Sequence, residues 1–159
     1  MGNFKKFMKN FGLSLLAYFA MSFLGALCLS LLNVTTRPNA VTAPPQSTPW
    51  WVEIILWLHV LVSVVLYFYF GTRLKLIGNH LLNFLSASGS MALGFFLIFI
   101  GIYFNLYLVL FGVFSFIKLS ILLTDSLNNE YVAVSIVSTL PTIIIWFGML
   151  YRGTRRRLA

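Results

Sequence analysis

Apolar runs long enough to cross a bilayer constrain this chain more than any other feature. A helix needs about 20 consecutive apolar residues to span the hydrocarbon core. Residues 11–32, 50–70 and 131–151 form three such runs, and residues 81–123 form one longer apolar region with polar residues only at scattered positions. Lipid offers no water to backbone amides, so segments of this kind close their hydrogen bonds internally, as helices. The expected fold class is therefore all-α, a polytopic membrane protein. Composition supports this: only 9% of the residues are charged, against roughly 25% in a soluble domain, too few to cover a water-facing surface. The first run, about 22 residues of apolar sequence, is longer than the 7–15 of a secretory signal core and is expected to be a retained span.

The number of spans follows from the charges. A net charge of +8 suggests nucleic acid in a soluble protein, but here no folded basic domain remains once the spans are set aside. No nucleic-acid role is expected. The basic residues instead cluster beside the spans: Lys5, Lys6 and Lys9 before the first, Arg73 and Lys75 after the second, Arg152, Arg155, Arg156 and Arg157 after the last. Four spans put all three clusters on one side, in keeping with the positive-inside tendency, whereas five would oppose the first cluster to the last. Within the long region, Ser86, Ser90, Gly94, Gly101, Asn105, Gly112 and Ser115 fall within an arc of about 100° when wound at 3.6 residues per turn. That stripe argues for one helix, which would break, if at all, near Gly101.

The sequence thus predicts a single integral membrane domain, a four-transmembrane-helix bundle with an over-long third helix. Its spans are placed at residues 11–32, 50–70, 84–116 and 131–151, the surplus length of the third being absorbed by tilt or a projecting end. Both termini are expected in the cytoplasm and the loop of residues 33–49 outside, in a plasma or inner membrane. Trp50 and Trp51 mark the outer interface and Tyr151 the inner one, as amphipathic rings prefer. The outer loop is rich in Pro, Thr, Ser and Ala and is expected to lie extended; its Asn33-Val34-Thr35 sequon is read as a chance match.

Ionisable groups within spans are the natural site candidates, and there are three: Glu53, His59 and Lys118. Spans two and three are read as antiparallel neighbours, so Glu53 and Lys118 are expected to form a structural ion pair, with an ion or proton site as the other reading. His59 either satisfies itself with one hydrogen bond across a helix interface or serves a proton relay. It stands six residues from Glu53, about 120° around the helix, so the two make no ready dyad. The small-residue stripe is a helix-packing seam, since helices in lipid associate through close contact and polar bonds. Ser14, Ala17, Gly25 and Cys28 form a weaker seam in the first span, where the lone cysteine acts as a small packing residue. Pro141 is expected to kink the last span, with a nearby Ser or Thr helping the freed carbonyl. Arg152, Arg155, Arg156 and Arg157 are expected to hold anionic headgroups at about 1 kcal/mol each.

Catalytic constellations are missing from the sequence. It has no CxxC pair, glycine-rich phosphate loop, HExxH or paired span aspartates. No catalytic residue, metal or cofactor is expected. The expected function is that of a non-enzymatic accessory or interaction protein, a small subunit or regulator of a larger membrane assembly. The alternative is a small homo-oligomeric transporter or channel using Glu53 and His59 in an ion or proton pathway. The expected partners are the lipid bilayer and either other membrane subunits or further copies of the chain.

Overall fold

The computed structural model describes residues 2–36, 49–77, 79–104 and 116–158. All regular structure among them is helical: α1 Gly2–Thr36, α2 Trp50–Arg73, α3 His80–Ala87, α4 Gly89–Phe104, α5 Ile117–Leu127 and α6 Glu130–Leu158. Segments Gly2–Cys28, Trp50–Arg73 and Tyr131–Thr154 are each long and apolar enough to cross a membrane. A fourth crossing exists if the bent pair His80–Ala87 and Gly89–Ile100 is one span. At 1.5 Å per residue, the 35 residues of α1 reach about 52 Å, well beyond a hydrocarbon core of about 30 Å. The lysine-bearing turns of α1 continue the helix beyond its apolar run.

The third region departs from the expected continuous helix. It bends by 45° between Ala87 and Gly89, at the centre of the run Ser86-Ala87-Ser88-Gly89-Ser90. Ser88 caps α3 at φ −75°, ψ 2°. Its N–H turns to the Leu85 carbonyl at 3.2 Å, and its hydroxyl donates to the same oxygen at 2.7 Å. Local bonds of this kind offer the backbone an alternative to the helix ladder, and glycine–serine pairs are a recurrent cause of sharp kinks. A Cβ at Gly89 would collide with the Phe11 carbonyl oxygen and the Ser14 hydroxyl of α1, so the bend seats bare backbone against a neighbour. Gly101, named as the place for any break, lies inside α4. Asn105, Gly112 and Ser115 lie outside the described residues, and α5 begins at Ile117 with Phe116 as its N-cap.

The central element is α6. Half of its apolar window is buried, against 28% for α1 and for α2, because α2, α5, α3 and α4 all pack on it and α1 meets it too. The pair α3–α4 lies between α1 and α6, while α2 packs on α6, α5 and α1. Among the described residues, the main neighbour of α2 is α6. Tyr18, Tyr67, Leu74, Ala87, Ile98, Phe116, Val134, Val137, Ile145 and Met149 form the core, each almost fully buried. Phe116 stacks on Tyr67 with ring centres 5.9 Å apart.

An asparagine pair joins α5 to α6. Asn128 adopts the left-handed conformation at φ 50° and returns its N–H to the Thr124 carbonyl at 2.8 Å, as a helix-terminating residue does. The side chain of Asn129 then accepts from the Val132 N–H at 3.1 Å, capping α6.

Candidate functional site

Two of the three ionisable span candidates meet in one contact. Lys118, two residues into α5, places its Nζ 2.5 Å from Oε2 of Glu53, in the first turn of α2. The lysine side chain is only 12% exposed and that of the glutamate 40%. The side chain of Glu53 lies near the uncapped start of α2, where unpaired N–H groups favour negative charge. Each charge is costly alone at membrane depth, so the pairing lowers the penalty of both. His59 lies farther along α2 and is half-buried.

The small residues are used for contact inside the bundle. Ser86, Ser90 and Gly94 are buried, although the bend divides the first from the other two. The Ser90 and Thr142 hydroxyls share a hydrogen bond of 2.7 Å between α4 and α6. Thr142 also accepts from the Met91 N–H at 3.2 Å. A Cβ on Gly94 would lie 3.0 Å from the Ser138 Cβ and 3.1 Å from the Tyr18 hydroxyl. Here α1, α4 and α6 meet: the Tyr18 hydroxyl bonds to Ser138, whose own hydroxyl donates to the Val134 carbonyl at 2.8 Å. In α1, Ser14, Ala17 and Gly25 are buried, while Cys28 is half-buried against Val52 and Leu56 of α2.

Pro141 is buried and α6 continues through it. The carbonyl deprived of its donor is that of Val137, four residues back. The neighbouring hydroxyls go elsewhere: Ser138 bonds to Val134 and Thr139 to Ile136. The expected help from these residues is absent at that carbonyl.

At the other end of the bundle the start of α1, the α2–α3 loop and the end of α6 converge. Asn10, 1% exposed, grips the loop: its Nδ2 donates to the Lys75 carbonyl at 2.7 Å, and its Oδ1 accepts the Lys75 N–H at 3.2 Å. Asn83 of α3 accepts the Ile77 N–H at 2.8 Å. Arg152 closes the arrangement from α6, donating through Nη1 to the carbonyls of Thr72 and Leu74 at 3.0 and 3.2 Å. These buried amides were not among the candidates. Asn10 follows Lys9 directly and reads in the sequence as part of the polar approach to the first span. Replacing it with alanine should leave the Lys75 N–H without a partner and cost about 1–3 kcal/mol. Faster hydrogen exchange at Lys75 would register that loss, and unchanged exchange would refute the clamp.

Arg152 thus acts first as a loop anchor, with donors to spare; Arg155, Arg156 and Arg157 continue along the last turns of α6. Among the described residues no group of three or more His, Cys, Asp or Glu side chains is placed to hold a metal. Comparison with known protein families, curated proteins and solved structures found no match to this chain.

Proposed function

We propose that this protein is a non-enzymatic accessory protein of a larger membrane assembly, a small subunit or regulator in a plasma or inner membrane. In this reading both termini face the cytoplasm, because the positive-inside tendency places the converging basic clusters there. The observation that carries the reading is how the polar groups of the helices are used. Glu53 is paired with Lys118, Ser90 with Thr142, and Tyr18 with Ser138. These contacts join helix to helix, the work that polar groups in lipid do when their role is assembly.

The outward faces are apolar. Leu16, Phe19 and Phe23 of α1 and Trp57, Leu58 and Leu61 of α2 are exposed. Such faces suit lipid or the helices of a companion subunit. A photoreactive phenylalanine analogue placed at Phe19 or Trp57 in native membranes is expected to give a discrete adduct with another protein. The analogue at buried Tyr67 should give none. Adducts only with lipid would end the accessory reading, and adducts only with the chain itself would favour the homo-oligomer. In proteoliposomes, proton and cation flux should stay at background and be unaltered by Glu53→Gln or His59→Ala.

A further inference from the structure

We propose that the cleft where α1, the α2–α3 loop and α6 converge binds the phosphate group of an anionic glycerophospholipid. This inference does not depend on the accessory role. The cleft has a volume of about 420 Å³ and is lined by Lys6, Lys75, Leu76 and Arg152, within the roughly 300–1,000 Å³ of small-ligand sites. Its three cations come from three different segments, brought together only by the fold.

The frame around them is fixed. Asn10 holds the backbone of Lys75 on both its N–H and its carbonyl, so the ammonium group starts from a set position. Arg152 commits Nη1 to two loop carbonyls. A guanidinium carries five N–H donors, which leaves those of Nη2 and Nε for a ligand. These remaining donors form the planar fork that matches phosphate oxygens. Leu76 supplies an apolar wall, its methyls lying against Gly153.

Charge gives the second argument. The chain has three acidic residues, and all lie toward the opposite end: Glu53 at the start of α2, Asp125 in α5 and Glu130 at the start of α6. Among the described residues no Asp or Glu side chain is paired with Lys6, Lys75 or Arg152, so the cleft favours an anion from outside. Depth gives the third argument. Phe68 and Tyr151 lie 5.7 Å apart on the turns just before the loop and just before Arg152. Both are exposed, where an aromatic belt meets the headgroup layer. A headgroup phosphate is held at that level by its own acyl chains, so the cleft meets it at high local concentration.

Native mass spectrometry of the full chain, released from detergent with added lipid, tests the proposal. Phosphatidylglycerol, phosphatidylcholine and inorganic phosphate serve as the separate probes. Phosphatidylglycerol is expected to stay bound and phosphatidylcholine to leave. Lys6 and Lys75 are exposed, and Lys75 holds the loop through its backbone, so Lys6→Gln/Lys75→Gln should fold with an unchanged thermal midpoint in neutral lipid. At about 1 kcal/mol per basic side chain, its affinity for phosphatidylglycerol should fall roughly 30-fold. The charge-matched control Lys5→Gln/Lys9→Gln, outside the cleft, should lose no more than about threefold.

Inorganic phosphate separates the two sources of the anion. Retention of phosphatidylglycerol that millimolar phosphate does not displace, lost in the cleft variant, establishes the lipid. Full displacement by phosphate, or phosphate binding alone that is lost in the same variant, overturns the lipid in favour of a soluble phosphate compound. Equal losses in both double variants, or equal retention of phosphatidylcholine, overturn the site altogether.

Discussion

Gly148→Leu is expected to be among the most destabilising single substitutions in this protein. Gly148 and Gly71 face each other where α6 crosses α2, and the contact is backbone to backbone. A Cβ built on Gly148 collides with the Phe68 carbonyl oxygen and lies 3.0 Å from the Gly71 Cα and 3.1 Å from the Thr72 nitrogen. Built on Gly71, it collides with the Ile145 carbonyl oxygen and lies 3.0 Å from the Ile145 Cα. None of these atoms can rotate away, as a flexible side chain would. The helices must separate, and α2 loses its principal neighbour. In lipid that loss is not offset by any hydrophobic drive to reassociate, because packing itself holds the helices together.

The cost should lie at or above the top of the overpacking range, about 3 kcal/mol or more. Alanine at Gly148 should also destabilise, although alanine favours a helix over glycine by up to about 1 kcal/mol. Gly12 provides the control. A Cβ there meets nothing within 4 Å, so Gly12→Ala should be neutral or stabilising by about that propensity. Equilibrium unfolding in mixed micelles, followed by helical circular dichroism, compares all three. If Gly148→Leu unfolds at the wild-type midpoint, α2 and α6 are not in backbone contact.

The same glycines show where sequence reasoning stops. The apolar runs announce the spans because bilayer thickness imposes a length, and length is visible in a string of letters. A single close approach is not, since Gly71 and Gly148 are far apart in sequence and neither belongs to a repeated small-residue pattern. The stripe beginning at Ser86 illustrates a subtler limit. Ser86, Ser90 and Gly94 are buried. Yet smallness also frees the backbone, and the 45° bend falls in the densest part of the stripe. Helical periodicity survives a break of one residue well enough to hide it. Asn10 and Asn83 were illegible for another reason: their partners are loop amides whose position only the tertiary fold defines.

Glu53 and Lys118 were individually conspicuous, and their opposite charges suggested each other, but Lys118 reaches Glu53 from α5 and not from a long third helix. That placement makes the pair unequal in a way a double-mutant cycle can measure. Glu53 sits in the first turn of α2, and Lys118 in the first turn of α5. Both helix starts carry partial positive charge and lack a side-chain cap. The helix end therefore favours the glutamate and opposes the lysine. Deprived of Lys118, Glu53 keeps the N–H groups of its own helix and substantial exposure. Deprived of Glu53, Lys118 is a largely enclosed cation at the wrong end of a dipole. Glu53→Gln should accordingly cost about 2–3 kcal/mol, near the price of an unpaired charge in a membrane. Lys118→Met, which keeps the apolar stem, should cost only about 1 kcal/mol. The double variant should be no less stable than Glu53→Gln alone, because the second substitution removes the stranded charge. Unfolding midpoints in the same mixed micelles give the coupling energy. Additivity of the singles within about 0.5 kcal/mol would show that the two charges do not support each other, and a larger loss from Lys118→Met than from Glu53→Gln would show that the helix ends do not set the balance.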